Sequence, residues 1–352
     1  MEVYMQKPPK LNPGDTVATI SLSWGGAQLF PHRYQQGKRQ LEETFGLRVV
    51  ESRHALKSPE WLANNPQARA EDLMEVVSDP NIKAIISTIG GNDSIRMLPY
   101  LDLEVLRKHP KIFMGYSDTT ISHFAFFKAG VVSFYGPAIL AGFAENGGLF
   151  PYTEESVRRS LFQSDPIGEL VENRAGWTVE LLDWGNPQIQ RPRQLQPNTG
   201  WRWLQGHGVH QGKLIGGCIE VLDWLRGTQL WPSPKEWRDA ILFLETSEEA
   251  PSPEAVLYML RCLGALGVLQ SSRGLLFGRP GGSDLSEEQR RAYDDVLLRA
   301  TRDELGLGDL PIISNLDFGH TDPIMVLPYG LQSEIDCDHR RIRMLESAVS
   351  DR

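Results

Sequence analysis

The chain has 352 residues, 41% of them hydrophobic, and a formal net charge of −9. That length suits two domains and a sizeable core and excludes global disorder, while the acidic balance argues against nucleic acid or an anionic membrane surface as the main partner. No apolar run nears the roughly 20 residues that span a bilayer, and three scattered cysteines (Cys218, Cys262, Cys337) with no C-x-x-C pair suggest neither a zinc knuckle nor a disulfide framework.

The opening MEVYMQKPPKLNPGD lacks the apolar centre of a signal peptide, so a soluble cytoplasmic protein is expected. A turn at 12–15 leads into a buried strand at 16–22 and a Gly-containing loop at 23–28. A helix is expected over 32–45, stopped by Gly46, then a strand at 47–50, a helix at 66–77 and a strand at 82–89 that ends in Gly90-Gly91-Asn92-Asp93. A short helix at 103–108 precedes the stretch KIFMGYSDTT (111–120). There an apolar strand runs straight into Gly115-Tyr116-Ser117-Asp118 and a helix over 119–128. A further strand at 131–135 and a helix at 153–162 follow. Strands alternating with helices predict a parallel sheet covered on both faces, with ligands at the carboxyl ends of the strands.

The texture changes after Ser164. Residues 165–212 hold no sustained helical period. Short alternating runs at 167–171 and 178–182 suggest a hairpin, and Trp177, Trp184, Trp201 and Trp203 crowd into the stretch. So long a segment without a helix fits a linker plus a functional loop, or a linker pinned to its neighbours by tryptophans. A second α/β unit begins at 213–217, with a helix at 219–225. The buried strand 240–244 ends in Glu245, and a helix follows at 253–263. A strand ends at 274–278, a charged helix covers 285–301, a strand 311–314 precedes Asn315-Leu-Asp317-Phe-Gly319-His320, and three tail strands are expected at 324–327, 331–336 and 341–345. The expected domains are therefore 1–164, a linker 165–212, and 213–352.

Ser117 sits on a sharp strand-to-helix turn, which exposes its hydroxyl near free helical N–H groups. The G-x-S-x-G pattern is half met, since Thr119 stands where the second glycine belongs; Ser117, Asp118 and Thr119 would also cap a helix. A serine nucleophile needs a base and a carboxylate to hold it. Of eight histidines, His32, His54, His109 and His339 lie on polar segments and His123 faces along the helix as a packing or capping residue. His320 lies at a strand end, although a structural turn histidine fits there too. Of 45 carboxylates, Glu245 follows a buried strand directly; Asp317 is the competitor, with a turn role. The N–H of Asp118 and the Gly90-Gly91 turn are candidates for an oxyanion hole. No G-x-G-x-x-G or Walker lysine is present.

Six segments together resemble the LD-carboxypeptidase family of serine peptidases: STIGGNDSIRMLPYLD (87–102), MGYSDTT (114–120), SFYGP (133–137), LIGGC (214–218), LFLE (242–245) and NLDFGHTDP (315–323). The resemblance implies Ser117 as nucleophile, His320 as base and Glu245 as its orienting acid. It also implies an N-terminal α/β domain carrying the serine, a C-terminal α/β domain with a mixed sheet carrying the other two, no cofactor or metal, and a homodimer. Oxyanion stabilisation falls to Gly91 and Asp118, with Gly90 and Asn92 near the substrate. Leu22 and Cys218 depart from the proline and asparagine of many relatives. The length and the Trp-rich loop fit the microcin C self-immunity branch, in which an aromatic residue stacks on the adenine of an aminoacyl-nucleotide; Trp201 and Trp203 are the expected contacts. The alternatives are a muramoyl-tetrapeptide carboxypeptidase releasing terminal D-alanine, a non-catalytic acyl-nucleotide or muropeptide binding protein, and a metal hydrolase using Asp317, His320 and Asp322.

Overall fold

Turn chemistry at Asn12 to Gly14 launches the first strand of the computed structural model, which describes residues 5–351. Five strands follow in order: β1 (Thr16–Ile20), β2 (Arg48–Glu51), β3 (Ile82–Ser87), β4 (Ile112–Gly115) and β5 (Ser133–Tyr135). They pair in parallel in the spatial order β5-β4-β3-β1-β2. The run IFMG of β4 is wholly buried, as a central strand covered on both faces requires. Chain order reverses between β3 and β1, so the loops after them open a crevice at their carboxyl ends. The loop after β4 lies beside it.

The helices follow the expected signals. Pro31–Phe45 ends at Gly46, which takes a left-handed conformation (φ 69°) that a side chain would strain. The helix Thr120–Ala129 is buried everywhere except at Lys128 and packs against elements of both halves, including the helix Ile219–Leu225. Its lack of a polar face is the price of that central position.

The tryptophan-rich stretch does not form the expected hairpin. Its strands are β6 (Gly168–Glu169) and β7 (Arg202–Gln205), at opposite edges of a second sheet. Residues 178–182 form no strand; Trp177 bridges to Gln196 and Thr178 to Asp322. Local alternation suggested pairing between neighbouring runs, but Gly168 and Glu169 pair with Met344 and Arg343, Thr178 with Asp322, and Trp177 with a residue 19 positions on. The second sheet is completed by β8 (Val209–Cys218), β9 (Ala240–Glu245), β10 (Gly274–Gly278) and β11 (Ile312–Leu316), parallel to one another, and by the antiparallel β13 (Gln332–Asp336) and β14 (Arg341–Met344). Its order is β6-β14-β13-β8-β9-β10-β11-β7. Strand β12 (Leu327–Tyr329) leaves it and pairs antiparallel with β5, so the C-terminal segment supplies the edge of the first sheet. Tyr329 then ties the sheets together: its hydroxyl donates to Gly216 O (3.1 Å) and accepts from Gly216 N–H (3.2 Å). The architecture is thus two α/β units, the first sheet mostly parallel and the second mixed. Among the described residues no helix is long and apolar enough to cross a membrane.

Candidate active site

Strand β4 delivers Ser117 in a strained conformation. Its φ is +64°, in the left-handed region that a residue with a side chain enters at a cost of order 1–2 kcal/mol. A three-residue 3₁₀ turn (Ser117–Thr119) then feeds the buried helix. The half-met elbow pattern has a packing explanation. A Cβ on Gly115 would lie 2.9 Å from Thr119 Oγ1 and 3.0 Å from Ser87 Cβ, so that glycine is required. Thr119 is tolerated because its hydroxyl turns inward and donates to Tyr116 O (2.8 Å).

Gly90 lies against the serine: a Cβ there would come within 2.9 Å of Ser117 Oγ and 3.4 Å of Asp118 N. Gly91 (φ +142°) would drive a Cβ into Ser23 Oγ at 2.4 Å. Backbone rather than side chains therefore faces the hydroxyl. The side chain of Asp118 is wholly buried and does not reach the cavity; its Oδ2 accepts from Asp93 N–H (3.1 Å) and Ser94 N–H (2.9 Å), fixing the Gly90–Asn92 turn from behind.

Glu245, at the end of β9, has no exposed surface, and its Oε2 lies 2.6 Å from His320 Nδ1. Two glycines make room. On Gly319 (φ +96°) a Cβ would sit 2.7 Å from Glu245 Oε2, and on Gly278 one would sit 2.9 Å from Glu245 Cβ. The other carboxylate oxygen accepts from the Tyr135 hydroxyl (2.5 Å), which itself accepts from Ser117 N–H (3.1 Å). Tyr135 thus links the serine turn to the Glu245–His320 pair across the two sheets. Sequence reasoning missed this residue; its place at the carboxyl end of β5, within SFYGP, was the available signal. Burial alone would lower the His320 pKa, but the adjacent Glu245 carboxylate outweighs it, and with Glu248 and Glu220 raises it to about 9. Tyr116 packs on the imidazole at 4.9 Å, and His320 Nε2 lies 3.2 Å from the exposed carboxylate of Glu248.

Ser117 and His320 open into one cavity of about 630 Å³. Gly90, Gly91 and Asn92 line it as expected, but Trp201 and Trp203 do not; Trp24 and Trp184 do. Trp201 is committed elsewhere. Its Nε1 donates to Asp317 Oδ2 (2.8 Å), and Asp317 also pairs with the wholly buried Arg279 (2.8 Å). Trp203 lies on β7, paired with β11 on the edge of the second sheet. These two tryptophans, with Trp177 beneath Arg279 and Arg290, pin the segment down. Trp184 instead meets Phe30 edge-on at 5.7 Å and carries Arg33 on its face at 4.3 Å. Spacing along the chain could not separate the four; only the sheet edges do.

The remaining candidates fall out of the site. Asp317 is a buried ion-pair partner rather than a turn former, and it holds no histidine. Asp322 pairs with Arg193 (2.7 Å) and His320 with Glu245, so the three groups of the metal alternative are each engaged with a different partner. His123 bonds Ser133 Oγ (2.8 Å) and Gly115 O (2.9 Å), and burial pushes its pKa down to about 4, which suits a neutral packing residue. His54 is half-buried rather than solvated, 2.7 Å from Asp72. Cys218 is buried outside the cavity; its N–H donates to Thr120 Oγ1 (3.2 Å).

Comparison with known proteins gives a consistent picture. The LD-carboxypeptidase N-terminal domain matches residues 17–136 and the LD-carboxypeptidase C-terminal domain residues 211–335. The microcin C7 self-immunity protein MccF of Escherichia coli is 29% identical over 338 residues, 96% of this chain and 95% of that protein. A putative carboxypeptidase of Vibrio cholerae is 31% identical over 335 residues, 95% and 96% of the two chains. A MccF-like protein from Streptococcus pneumoniae, solved with AMP, superposes with a TM-score of 0.84 at 32% identity, covering 94% of this chain and 98% of that one. MccF has been solved with aspartyl sulfamoyl adenosine (TM-score 0.86, 29% identity, 98% and 100% coverage) and as an active-site mutant in which a serine, an asparagine and a lysine are each alanine.

Proposed function

The chain belongs to the LD-carboxypeptidase family of serine peptidases, and from that premise we propose that it hydrolyses the amide-type bond joining an aminoacyl or peptidyl group to a modified adenylate. One observation carries the reading: the Glu245–His320 pair and the strained Ser117 open into a cavity that Trp24, Phe30 and Trp184 also line. Ser117 Oγ attacks the carbonyl carbon and its proton passes to His320 Nε2, while Nδ1–H keeps donating to Glu245. The N–H groups of Gly91 and Asp118 receive the oxyanion. Collapse breaks the C–N bond, His320 returns the proton to the leaving nitrogen, and water releases the acyl group by the same steps. Glu248 has to swing off Nε2 before the attack, and its 66% exposed side chain is free to do so. Tyr135 acts as a positioning residue. The protein is taken to work as a homodimer, as its family resemblance implies; sedimentation as a monomer at assay concentration would remove the dimer.

The test is hydrolysis of an aminoacyl-sulfamoyl adenosine and a muramoyl tetrapeptide side by side. Release of D-alanine alone would make this a cell-wall carboxypeptidase. The aromatic lining favours the nucleotide, because a base needs a flat partner. Loss of one base–aromatic stack costs about 1–3 kcal/mol. Trp184→Ala is therefore expected to raise KM for the nucleotide substrate by roughly 5- to 150-fold with little change in kcat. Trp201→Ala is expected instead to lower the melting temperature, through the Asp317–Arg279 pair. An unchanged KM in Trp184→Ala would remove the stacking role.

The pH profile offers a second check. His320 must be neutral to accept the Ser117 proton, and its pKa is raised to about 9. We expect kcat/KM to climb about tenfold per pH unit below that value and to level above it. A flat profile from pH 6 to 9 would show that the free enzyme does not hold His320 protonated over that range.

A further inference from the structure

Two unlike groups of residues line the cavity. Trp24, Phe30 and Trp184 make one, with ring centroids 5.7–6.0 Å apart in edge-on contacts. The loop after β9 and the turn at Gly282 and Ser283 make the other, which includes Glu248 and Glu249. Two guanidiniums of the described residues line the cavity, and only one of them is neutralised by carboxylates. Arg193 sits between Glu145 (2.6 Å) and Asp322 (2.7 Å), and Arg33 donates to Leu140 O (2.7 Å) while lying on Trp184. Glu180 pairs with Arg191. Glu248 and Glu249 are left without a cationic side chain other than His320, and no described residue donates to the Glu249 carboxylate. Among the described residues no lysine lines the cavity, whereas the active-site mutant of MccF replaces one.

We infer that Glu248 and Glu249 select an acyl group bearing positive charge, a lysyl or arginyl group rather than an aspartyl or glutamyl one. The inference rests on the reading of the site as an aminoacyl-nucleotide hydrolase. Geometry ties the acidic residues to the acyl side. Glu248 contacts His320 Nε2, the atom that takes the Ser117 proton, so its carboxylate lies beside the position of the reacting carbonyl. With the base of the nucleotide on the aromatic residues, the acyl group is left to the carboxylates beside His320. The α-ammonium stands only about 2.5 Å from the carbonyl carbon, by ordinary backbone dimensions, within range of Glu248. A cationic side chain continues outward along the loop toward Glu249. Binding a cation there would also draw Glu248 off His320 and free Nε2 for its proton transfer. An acidic acyl group seated beside His320 meets repulsion from both carboxylates.

The experiment compares kcat/KM for lysyl-, methionyl- and glutamyl-sulfamoyl adenosine. The nucleotide and the α-ammonium are common to all three, so the comparison isolates the side-chain charge. The expected order is lysyl, methionyl, glutamyl, with at least about a tenfold lysyl-to-glutamyl ratio that shrinks with added salt. In the Glu248→Gln/Glu249→Gln variant the ratio is expected to approach one. Both side chains are exposed, so its melting temperature should match wild type. Equal rates, a glutamyl preference, or a ratio unchanged in the double variant would overturn the inference and leave the functional reading standing. Cleavage of none of the three, with release of D-alanine from a muramoyl tetrapeptide, would overturn the functional reading and this inference with it.

Discussion

Ser117→Ala is expected to lower turnover of an aminoacyl-sulfamoyl adenosine by about 10⁶-fold while the protein still folds and binds the compound. The side chain removed is one oxygen at the mouth of a cavity, and no partner of its hydroxyl is lost with it. Its backbone N–H still donates to Tyr135, and alanine meets the same left-handed backbone at +64°. The melting temperature is therefore expected to stay within a degree or two of wild type. Calorimetric binding to the variant completes the measurement. Undiminished turnover would move the nucleophile elsewhere; undiminished protection by tight binding alone would make this a sequestering protein. Ser117→Gly is a useful companion, because glycine relieves the backbone strain and should be as inactive and slightly more stable.

Glu245→Gln is expected to cost about 10⁴-fold, less than loss of the serine. Glutamine keeps the shape, and its oxygen can still accept from Tyr135. It removes the charge that holds Nδ1–H and steadies the imidazolium, leaving a His320 whose tautomer is no longer specified. The same change carries a second signature. Glu245 is the main group raising the His320 pKa against burial, so its loss should move the acid limb of kcat/KM from about pH 9 to lower pH. A rate loss without that displacement would mean that Glu245 supports the fold and not the base. Tyr135→Phe should act in the same direction but more weakly, since it takes one hydrogen bond from Glu245 and one acceptor from Ser117 N–H.

Much of this was written in the chain. The run IFMG before Gly-Tyr-Ser-Asp dictates a buried strand and an exposed serine, because four apolar residues at a central strand leave the following turn nowhere to go but the sheet's end. AILFLE does the same for Glu245, and Asp317-Phe-Gly-His for a sharp turn that lets His320 fold back. Strand–helix alternation gave the class of both sheets. The glycines at 90, 91, 278 and 319 signalled close approach without naming the neighbour.

Other features depended on which distant segments meet. Four tryptophans within 27 positions are indistinguishable by spacing, yet Trp184 faces the cavity and Trp201 bonds a buried aspartate. Trp203 is placed by β7 docking on β11, a pairing with more than a hundred intervening residues, and Trp184 by Phe30 and Arg33 of the first unit. Tyr135 looked like one more apolar strand residue until β9 placed Glu245 within 2.5 Å of its hydroxyl. The edge strand β12 crosses to the first sheet for the same reason that the expected hairpin fails: backbone donors and acceptors are satisfied by whatever strand the packed core brings alongside, and local sequence carries no record of that neighbour. The sequence by itself determined the strands, the sharp turns and the chemical groups at their ends. Tertiary packing alone decided which of those ends share a cavity, and with them the charge and aromatic character of its walls.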